Sequence, residues 1–202
     1  MELNALPVLV YTYPIQQPKL QAKVPIIRNV PSAAAEHAIN QTIQNLYTAM
    51  IAETGYPQNP AVEVTSTYQI KTNERGVLSL SLIVYYFSGG AHGLTLQRSL
   101  TFDVQTGKSY NLSELFKPGA PYVERLSTIV REQIAARELP VFEPFNSIRP
   151  DQDYYIADKA LVLYFQLYEL VPYVYGFPYF PISVYQIQDL IDDNGPLGIM
   201  IP

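Results

Sequence analysis

The sequence predicts an α+β fold in which helices pack on one face of an antiparallel sheet meander. Apolar residues recur at helical spacing in two separate stretches, and between them they alternate with polar residues over three short runs. Such alternation with short connections is typical of antiparallel strands that have one solvated face. Helices that flank a run of consecutive strands indicate the α+β class.

The two helices have recognisable starts and ends. Ser32 is a good N-cap for the first helix, and Gly55 and Pro57 end it. The buried stripe of this helix is predicted to consist of Ile39, Ile43, Leu46, Tyr47, Met50 and Ile51. Pro121 lies where the first turn of the second helix tolerates proline. The second buried stripe is predicted to consist of Val123, Leu126, Ile129, Val130 and Ile134.

Strands are predicted before, between and after these helices. The predicted strands cover residues 8–13, 20–27, 62–71, 78–86, 94–104, 154–157 and 160–170. Pro25 interrupts the second of them, and a proline cannot donate to a central ladder, so one or two edge strands are predicted in this region. Residues 182–191 are predicted to form a last short helix.

Two loops and one carboxylate are candidates for a functional or structural role. The glycine loop Ser88-Gly89-Gly90-Ala91-His92-Gly93 connects two meander strands, and its glycines are predicted to adopt positive φ. The segment from Pro172 to Tyr179, which includes Tyr173, Tyr175, Gly176 and Phe177, is predicted to be a rigid aromatic loop. Glu169 falls inside an apolar run, so we expect it to have a structural role as a hydrogen-bond acceptor for the adjacent loop.

The bulk composition excludes several classes of protein. A chain of 202 residues corresponds to one domain, or to two small ones that share a core. The formal net charge of −5 and the scattered basic residues argue against nucleic-acid binding. The absence of cysteine excludes disulfides and thiol catalysis. The apolar run 78–87 is too short for a membrane span, and the first residues do not form a signal peptide.

No constellation for catalysis or metal binding is apparent in the sequence. Ser88 and His92 lie close together, but a nucleophilic site also needs an orienting group and an oxyanion hole, and no G-x-S-x-G elbow is present. Asp151-x-Asp153 lacks the glycine and the glutamate of a calcium loop. The sequence therefore predicts no enzyme, no metal and no cofactor.

Several segments in a fixed order resemble one family. Tyr85 to Gly93 leads into Leu100-Thr101-Phe102-Asp103, and Leu112 to Phe116 follows. Later, Tyr168 to Tyr173 precedes Gly176, Pro181-Ile182 and Tyr185. This order resembles the C-terminal domain of RsiV-type anti-sigma factors, which is also found in peptidoglycan deacetylases and other bacterial envelope proteins. Val24-Pro25-Ile26 and the helix with Ile39-Asn40 are similar to the module that usually precedes that domain.

The resemblance implies an organisation and a location. It predicts one compact unit over 1–202 in which an N-terminal module, 8–90, merges with an RsiV-like C-terminal module, 91–192. It also implies a place outside the cytoplasmic membrane. In the anti-sigma branch the domain binds lysozyme as a signal, and in the deacetylase branch it accompanies a catalytic domain. We expect this chain to contain neither the sigma-binding segment and membrane helix nor that catalytic domain.

Three functions remain open at this point. The first is an extracytoplasmic sensor that binds a protein such as lysozyme, and the second is a module that binds cell-wall glycan through exposed tyrosines. The third is a hydrolase built on His92. The chain has 17 tyrosines and no tryptophan. These tyrosines fit either a β-rich core with half-exposed rings or a tyrosine-rich binding surface. The predicted binding residues are Ser88, His92, Pro172, Tyr173, Tyr175, Phe177 and Tyr179.

Overall fold

The computed structural model describes residues 7–201, and the chain divides into two compact units, 1–109 and 110–202. Each unit combines one long α-helix with its own β-sheet, which confirms the predicted α+β class with mostly antiparallel sheets. The proposed single unit over 1–202, with its two modules, stays a prediction.

The first unit contains a five-stranded sheet and one helix. The strands are β1 (Leu9–Gln17), β2 (Leu20–Arg28), β3 (Glu63–Glu74), β4 (Val77–Phe87) and β5 (Leu94–Asp103), in the spatial order β1-β2-β3-β4-β5. The predicted meander corresponds to β3, β4 and β5, which pair antiparallel. Strands β2 and β3 pair in parallel, over 20–22 and 64–66, and no local sequence pattern indicates this pairing. A parallel pair needs a crossover, and the helix between these strands supplies it.

That helix is α1 (Ala33–Glu53), and it begins as the sequence predicts. The side chain of Ser32 accepts a hydrogen bond from the Ala35 N–H at 3.3 Å. One stripe of the helix is buried in the core with β4, and it consists of Ile39, Ile43, Tyr47 and Met50. Burying each of the aliphatic side chains contributes about 1.5–3 kcal/mol, so packing on the sheet stabilises the helix more than its propensity does.

Strand β2 buries opposite faces at its two ends. Leu20 and Ala22 are buried near the turn, whereas Ile27, an odd number of residues further on, is fully buried at the other end. Two asparagine side chains bond to backbone groups in and beside the β1–β2 hairpin. Asn40 on α1 accepts from the Ile27 N–H at 2.8 Å and donates to its carbonyl at 2.9 Å. Asn73 on β3 does the same for Val8, at 3.0 and 2.8 Å.

The second unit contains α2 (Tyr122–Ala136) and a three-stranded antiparallel sheet. The strands are β6 (Tyr154–Ala157), β7 (Ala160–Tyr164) and β8 (Tyr179–Ser183), in the order β6-β7-β8. Leu126 and Val130 of α2 are fully buried, as the predicted stripe requires. Side chains of α2 and of its C-cap residue bond to the backbone of β8: Gln133 donates to the Pro181 carbonyl at 2.8 Å, and Arg137, the C-cap, donates to that of Tyr179 at 2.7 Å.

Two predicted elements in this unit are wrong. The strand predicted to end at residue 170 ends at Tyr164, because the chain turns at 167–169. The helix predicted over 182–191 is replaced by the end of β8 and a 3₁₀ turn, Val184–Gln186. Ser183 begins this turn with a capping box, in which its N–H donates to Gln186 Oε1 at 3.1 Å. Apolar spacing alone did not distinguish this short turn from a helix.

Candidate functional site

The predicted binding residues divide between the two units. Ser88 and His92 lie in the first unit, in the loop between β4 and β5. The aromatic loop with Tyr173 and Tyr175 lies in the second unit, between β7 and β8. Each unit therefore contains one of the two candidate sites.

The glycine loop is exposed and has its own internal geometry. Gly89 and Gly90 adopt φ of +95° and +106°, which non-glycine residues rarely adopt. Gly93 is buried, and a Cβ there would come within 2.5 Å of the Tyr85 ring. The Nδ1 atom of His92 lies 2.9 Å from the carbonyl oxygen of Gly93, which turns the imidazole toward its own loop. Ser88 is exposed at the start of the loop.

The aromatic loop presents its tip to solvent. Pro172 precedes a 3₁₀ turn, Tyr173–Tyr175, and Gly176 ends the turn with φ of +66°. Val174 is 84% exposed and Tyr175 is 53% exposed, which is unusual for large apolar side chains. The tip is therefore a rigid turn that displays apolar surface.

Phe177 and Tyr179 belong to a different environment. Tyr179 lies in β8, with its ring centroid 5.9 Å from that of Tyr164 and 6.1 Å from that of Tyr155. The Phe177 ring lies 6.4 Å from that of Tyr179. Burial, and to a smaller extent the neighbouring Tyr179, raise the pKa of Tyr155 above its usual value. These aromatic side chains pack against one another at the root of the loop.

Glu169 connects the base of the aromatic loop to a neighbouring loop. It lies in the turn after β7, not inside a strand as the sequence suggested. Its carboxylate accepts a hydrogen bond from the Gln166 N–H at 2.7 Å and forms an ion pair with Arg149. Arg149 also lies 3.6 Å from the carboxylate of Asp153. The turn 166–169 is thus fastened to the loop 149–153.

Two aromatic residues that sequence reasoning missed lie beside this loop. Tyr168 is 49% exposed, has a positive φ of 65°, and stacks on Tyr173 with ring centroids 5.4 Å apart. Phe142 is 52% exposed, and its N–H donates to the carbonyl of Leu170 at 3.1 Å. A proline-rich loop without periodicity gave no signal for Phe142. We define the aromatic surface as Phe142, Tyr168, Tyr173, Val174 and Tyr175.

The two units differ sharply in charge. Residues 110–202 contain twelve Asp and Glu against six Lys and Arg, a formal charge of −6. Residues 1–109 contain six acidic and seven basic residues, a formal charge of +1. Glu143 directly follows the exposed Phe142, so one of the acidic side chains borders the aromatic surface. An apolar surface on an acidic unit favours partners with a positive surface.

Residues 7–201 contain no group of three His, Asp or Glu side chains arranged to hold a metal ion. In the same part of the chain, no helix combines the length and the hydropathy that a membrane span requires.

Two family models match this chain, one in each of its two units. The family model described as "Deacetylase PdaC" matches residues 11–95, and the model described as "Protein of unknown function (DUF3298)" matches residues 113–185. A solved DUF3298 family member from Bacteroides fragilis has a TM-score of 0.67 at 11% identity, over 96% of both chains. A DUF3298 family protein from Pseudomonas aeruginosa PAO1 has a TM-score of 0.64 at 15% identity, over 99% of both chains.

In this α+β chain, a region that matches the PdaC model precedes one that matches the DUF3298 model. The chain is also 27% identical over 191 residues to the anti-sigma-V factor RsiV of Bacillus subtilis (strain 168). The matched part covers 87% of this chain and 66% of RsiV, so the chain spans slightly less than two thirds of that relative. The protein is therefore an RsiV-like, DUF3298-containing protein, which confirms the resemblance found in the sequence.

Proposed function

We propose that this protein is a non-catalytic binding or sensor domain of the bacterial cell envelope, outside the cytoplasmic membrane, and that it recognises a protein with a basic surface, such as a lysozyme. Relatedness to an anti-sigma factor supports a regulatory or binding domain associated with the envelope. The observation that carries the proposal is the aromatic surface on the acidic second unit.

The exposure of the aromatic surface supports a role in binding. Tyrosine and other aromatic side chains are enriched in the energetically important centres of protein interfaces. Tyr175 and Tyr168 are about half exposed, and Val174 is almost fully exposed. Rigid presentation reduces the entropy that is lost on binding, and here Pro172 and the Tyr168–Tyr173 stack provide it.

The charge of the second unit indicates the kind of partner. With a formal charge of −6, the unit attracts a basic protein over several ångströms, and salt weakens this attraction. Apolar contacts of the aromatic surface depend much less on salt. A specific complex is therefore expected to keep much of its affinity at high salt, whereas a nonspecific one loses it.

We assign no catalytic role to Ser88 or His92. A nucleophilic site requires a base that is oriented toward the nucleophile by a third group. The sequence around Ser88 lacks the G-x-S-x-G elbow of such nucleophiles, and the Nδ1 atom of His92 lies 2.9 Å from the carbonyl of the adjacent Gly93. The non-catalytic role rests on the missing elbow and stays part of the proposal.

The test is a calorimetric titration with a c-type lysozyme at about 0.05 and 0.5 M salt, where screening lengths differ several-fold. We expect binding at both concentrations and a loss of at least about fivefold in affinity for Tyr175→Ala. Tyr185→Ala is a matched control, because Tyr185 is 51% exposed in the same unit but follows the opposite end of β8.

The outcomes test the binding surface and the identity of the partner separately. Equal losses for Tyr175→Ala and Tyr185→Ala would contradict the aromatic surface as the binding site. Absence of lysozyme binding at both salt concentrations would overturn lysozyme as the partner. A second candidate ligand, a cell-wall glycan, is favoured by a separate observation in the first unit, two neighbouring exposed tyrosine rings on β1.

A further inference from the structure

A cleft of about 360 Å³ lies in the first unit between α1 and the β1–β2 hairpin. It is lined mainly by apolar side chains of the hairpin and by one stripe of the helix, including Tyr13, Ile15, Val24, Ile26, Gln44 and Tyr47. Sites for small molecules are commonly clefts of a few hundred cubic ångströms with mostly apolar walls and a few polar groups. The cleft fits that description in both size and lining.

The cleft continues into a second depression along β1. Tyr11, Tyr13, Ile26 and Arg28 line this depression, and the last three also line the cleft. Tyr11 and Tyr13 are 57% and 56% exposed. Being two residues apart on one strand, they point to the same face with Cα atoms about 7 Å apart. The two rings therefore form a continuous platform for an elongated ligand.

The edge of β2 that carries the N–H and the carbonyl of Ile27 is not available to an added peptide strand. Asn40 already occupies both the N–H and the carbonyl of Ile27. Pro25, two residues earlier and facing the same way, has no N–H to donate. Strand addition depends on main-chain hydrogen bonds, so a ligand in the cleft must be held by side chains.

The charges around the cleft favour a neutral ligand. Among the described residues that line it, Arg28 carries the one formal charge, and its guanidinium lies 2.9 Å from Glu36 Oε1. The other polar groups at the rim include the exposed amide of Gln44 and the exposed hydroxyl of Thr48. These neutral groups exchange hydrogen bonds with hydroxyl or amide groups of a ligand.

We propose that this face of the first unit binds a neutral linear oligosaccharide, with the apolar faces of its pyranose rings packed on Tyr11 and Tyr13. A pyranose ring combines an apolar C–H face with a hydroxyl rim, which matches aromatic platforms beside neutral donors and acceptors. Gln44 and Thr48 then bond to the hydroxyl or acetamido groups of the sugar unit that enters the cleft.

The inference develops the glycan alternative for the first unit and does not depend on the protein partner of the second. The test is a titration of the full chain, followed by NMR chemical shifts, with chitohexaose and with cellohexaose up to about 10 mM, since single sugar sites are weak. We expect saturable shifts with at least one of these probes. A preference for chitohexaose would assign an acetamido contact to the cleft.

Matched variants locate the site. We expect Tyr13→Ala to weaken binding by at least about fivefold and Tyr13→Phe to retain most of it, because the ring supplies the platform. Tyr85→Ala is the control, since Tyr85 is 42% exposed in the same unit but does not line the cleft. Thermal unfolding of each variant verifies that it is folded.

Three results would overturn the proposal. The first is the absence of shifts with both oligosaccharides, and the second is an equal loss of affinity in Tyr13→Ala and Tyr85→Ala. The third is a dimer that dissociates in Tyr13→Ala without any sugar binding, which would identify the face as an interface between copies. The lysozyme titration reports separately on the second unit, so a failure of one proposal leaves the other measurable.

Discussion

The first unit displays its exposed aromatic side chains on a strand, whereas the second displays them on turns. Tyr11 and Tyr13 project from β1, and the extended strand sets their spacing. Tyr168 and Tyr175 lie in turns between β7 and β8, where the ion pair of Arg149 with Glu169 fastens the base. With formal charges of +1 and −6, the two surfaces differ in the ligands they favour. Backbone context and charge, more than residue type, therefore distinguish the two candidate sites.

The largest effect is expected from removing one buried phenylalanine in each unit. Phe102 on β5 and Phe180 on β8 are both fully buried. Phe102→Ala and Phe180→Ala are each expected to lower the free energy of unfolding by about 3–5 kcal/mol, through lost burial and the cavity left behind. Scanning calorimetry of both variants measures this effect.

The same pair of variants tests whether the two units unfold independently. If the chain folds as the single unit predicted from the sequence, both variants shift one common transition. Two transitions, of which each variant shifts only one, would contradict that prediction. Leu9→Ala is a suitable control, because Leu9 is 49% exposed.

Asn40→Ala is expected to have the next largest effect. Its side chain satisfies both backbone groups of the fully buried Ile27, so alanine leaves a donor and an acceptor without partners. We expect a loss of about 2–3 kcal/mol in the free energy of unfolding by urea titration. Asn45→Ala, an exposed position on the same helix, controls for helix propensity. Equal losses for both variants would refute the role of Asn40 in anchoring the hairpin.

The contacts of Asn40 illustrate what sequence patterns predict and what they do not. Ser32, Ile39 and Ile43 could be assigned because capping and helical periodicity are local properties. Asn40 lies in the same helix, but its partner is a strand that precedes it, and no local pattern indicates that pairing. The parallel pairing of β2 with β3 was missed for the same reason.

The candidate sites also combine features that the sequence predicts with features that it does not. The aromatic loop could be identified from its composition, whereas the side chains that extend its surface could not. Phe142 lies far from Tyr168 in sequence, and a backbone hydrogen bond to Leu170 brings it there. The sequence predicts Tyr11 and Tyr13 only as part of an edge strand, because a local pattern does not indicate which face of a hairpin stays exposed.

A smaller effect is expected from Glu169→Gln in the second unit. Glutamine can still accept the hydrogen bond from the Gln166 N–H, but it loses the ionic interaction with Arg149. Because both side chains are partly exposed, the loss of stability is expected to stay below about 1 kcal/mol. If this pair positions the aromatic surface, lysozyme affinity falls in the variant while sugar binding by the first unit does not change. A fall in both would contradict a local role.

The smallest effect at neutral pH is expected from Tyr47→Phe on α1. The hydroxyls of Tyr47 and Ser66 are both buried and lack hydrogen-bond geometry to any described group. Because no hydrogen bond is lost and a buried unsatisfied group is removed, Tyr47→Phe is expected not to lower the free energy of unfolding. Burial raises the pKa of Tyr47 above its usual value, although the nearby Ser66 hydroxyl partly offsets this shift.

This raised pKa gives the variant a distinct pH signature. Below the pKa of tyrosine in the unfolded chain, about 10, both states are protonated and the hydroxyl adds no pH dependence. Between that pH and the higher pKa of the folded protein, the unfolded state releases its proton first, so stability falls as the pH rises. Urea unfolding from pH 8 to 11 is therefore expected to show a less steep alkaline loss for Tyr47→Phe than for the unmodified chain. Parallel curves would mean that Tyr47 titrates alike in both states, and that burial in the first unit does not disfavour its phenolate.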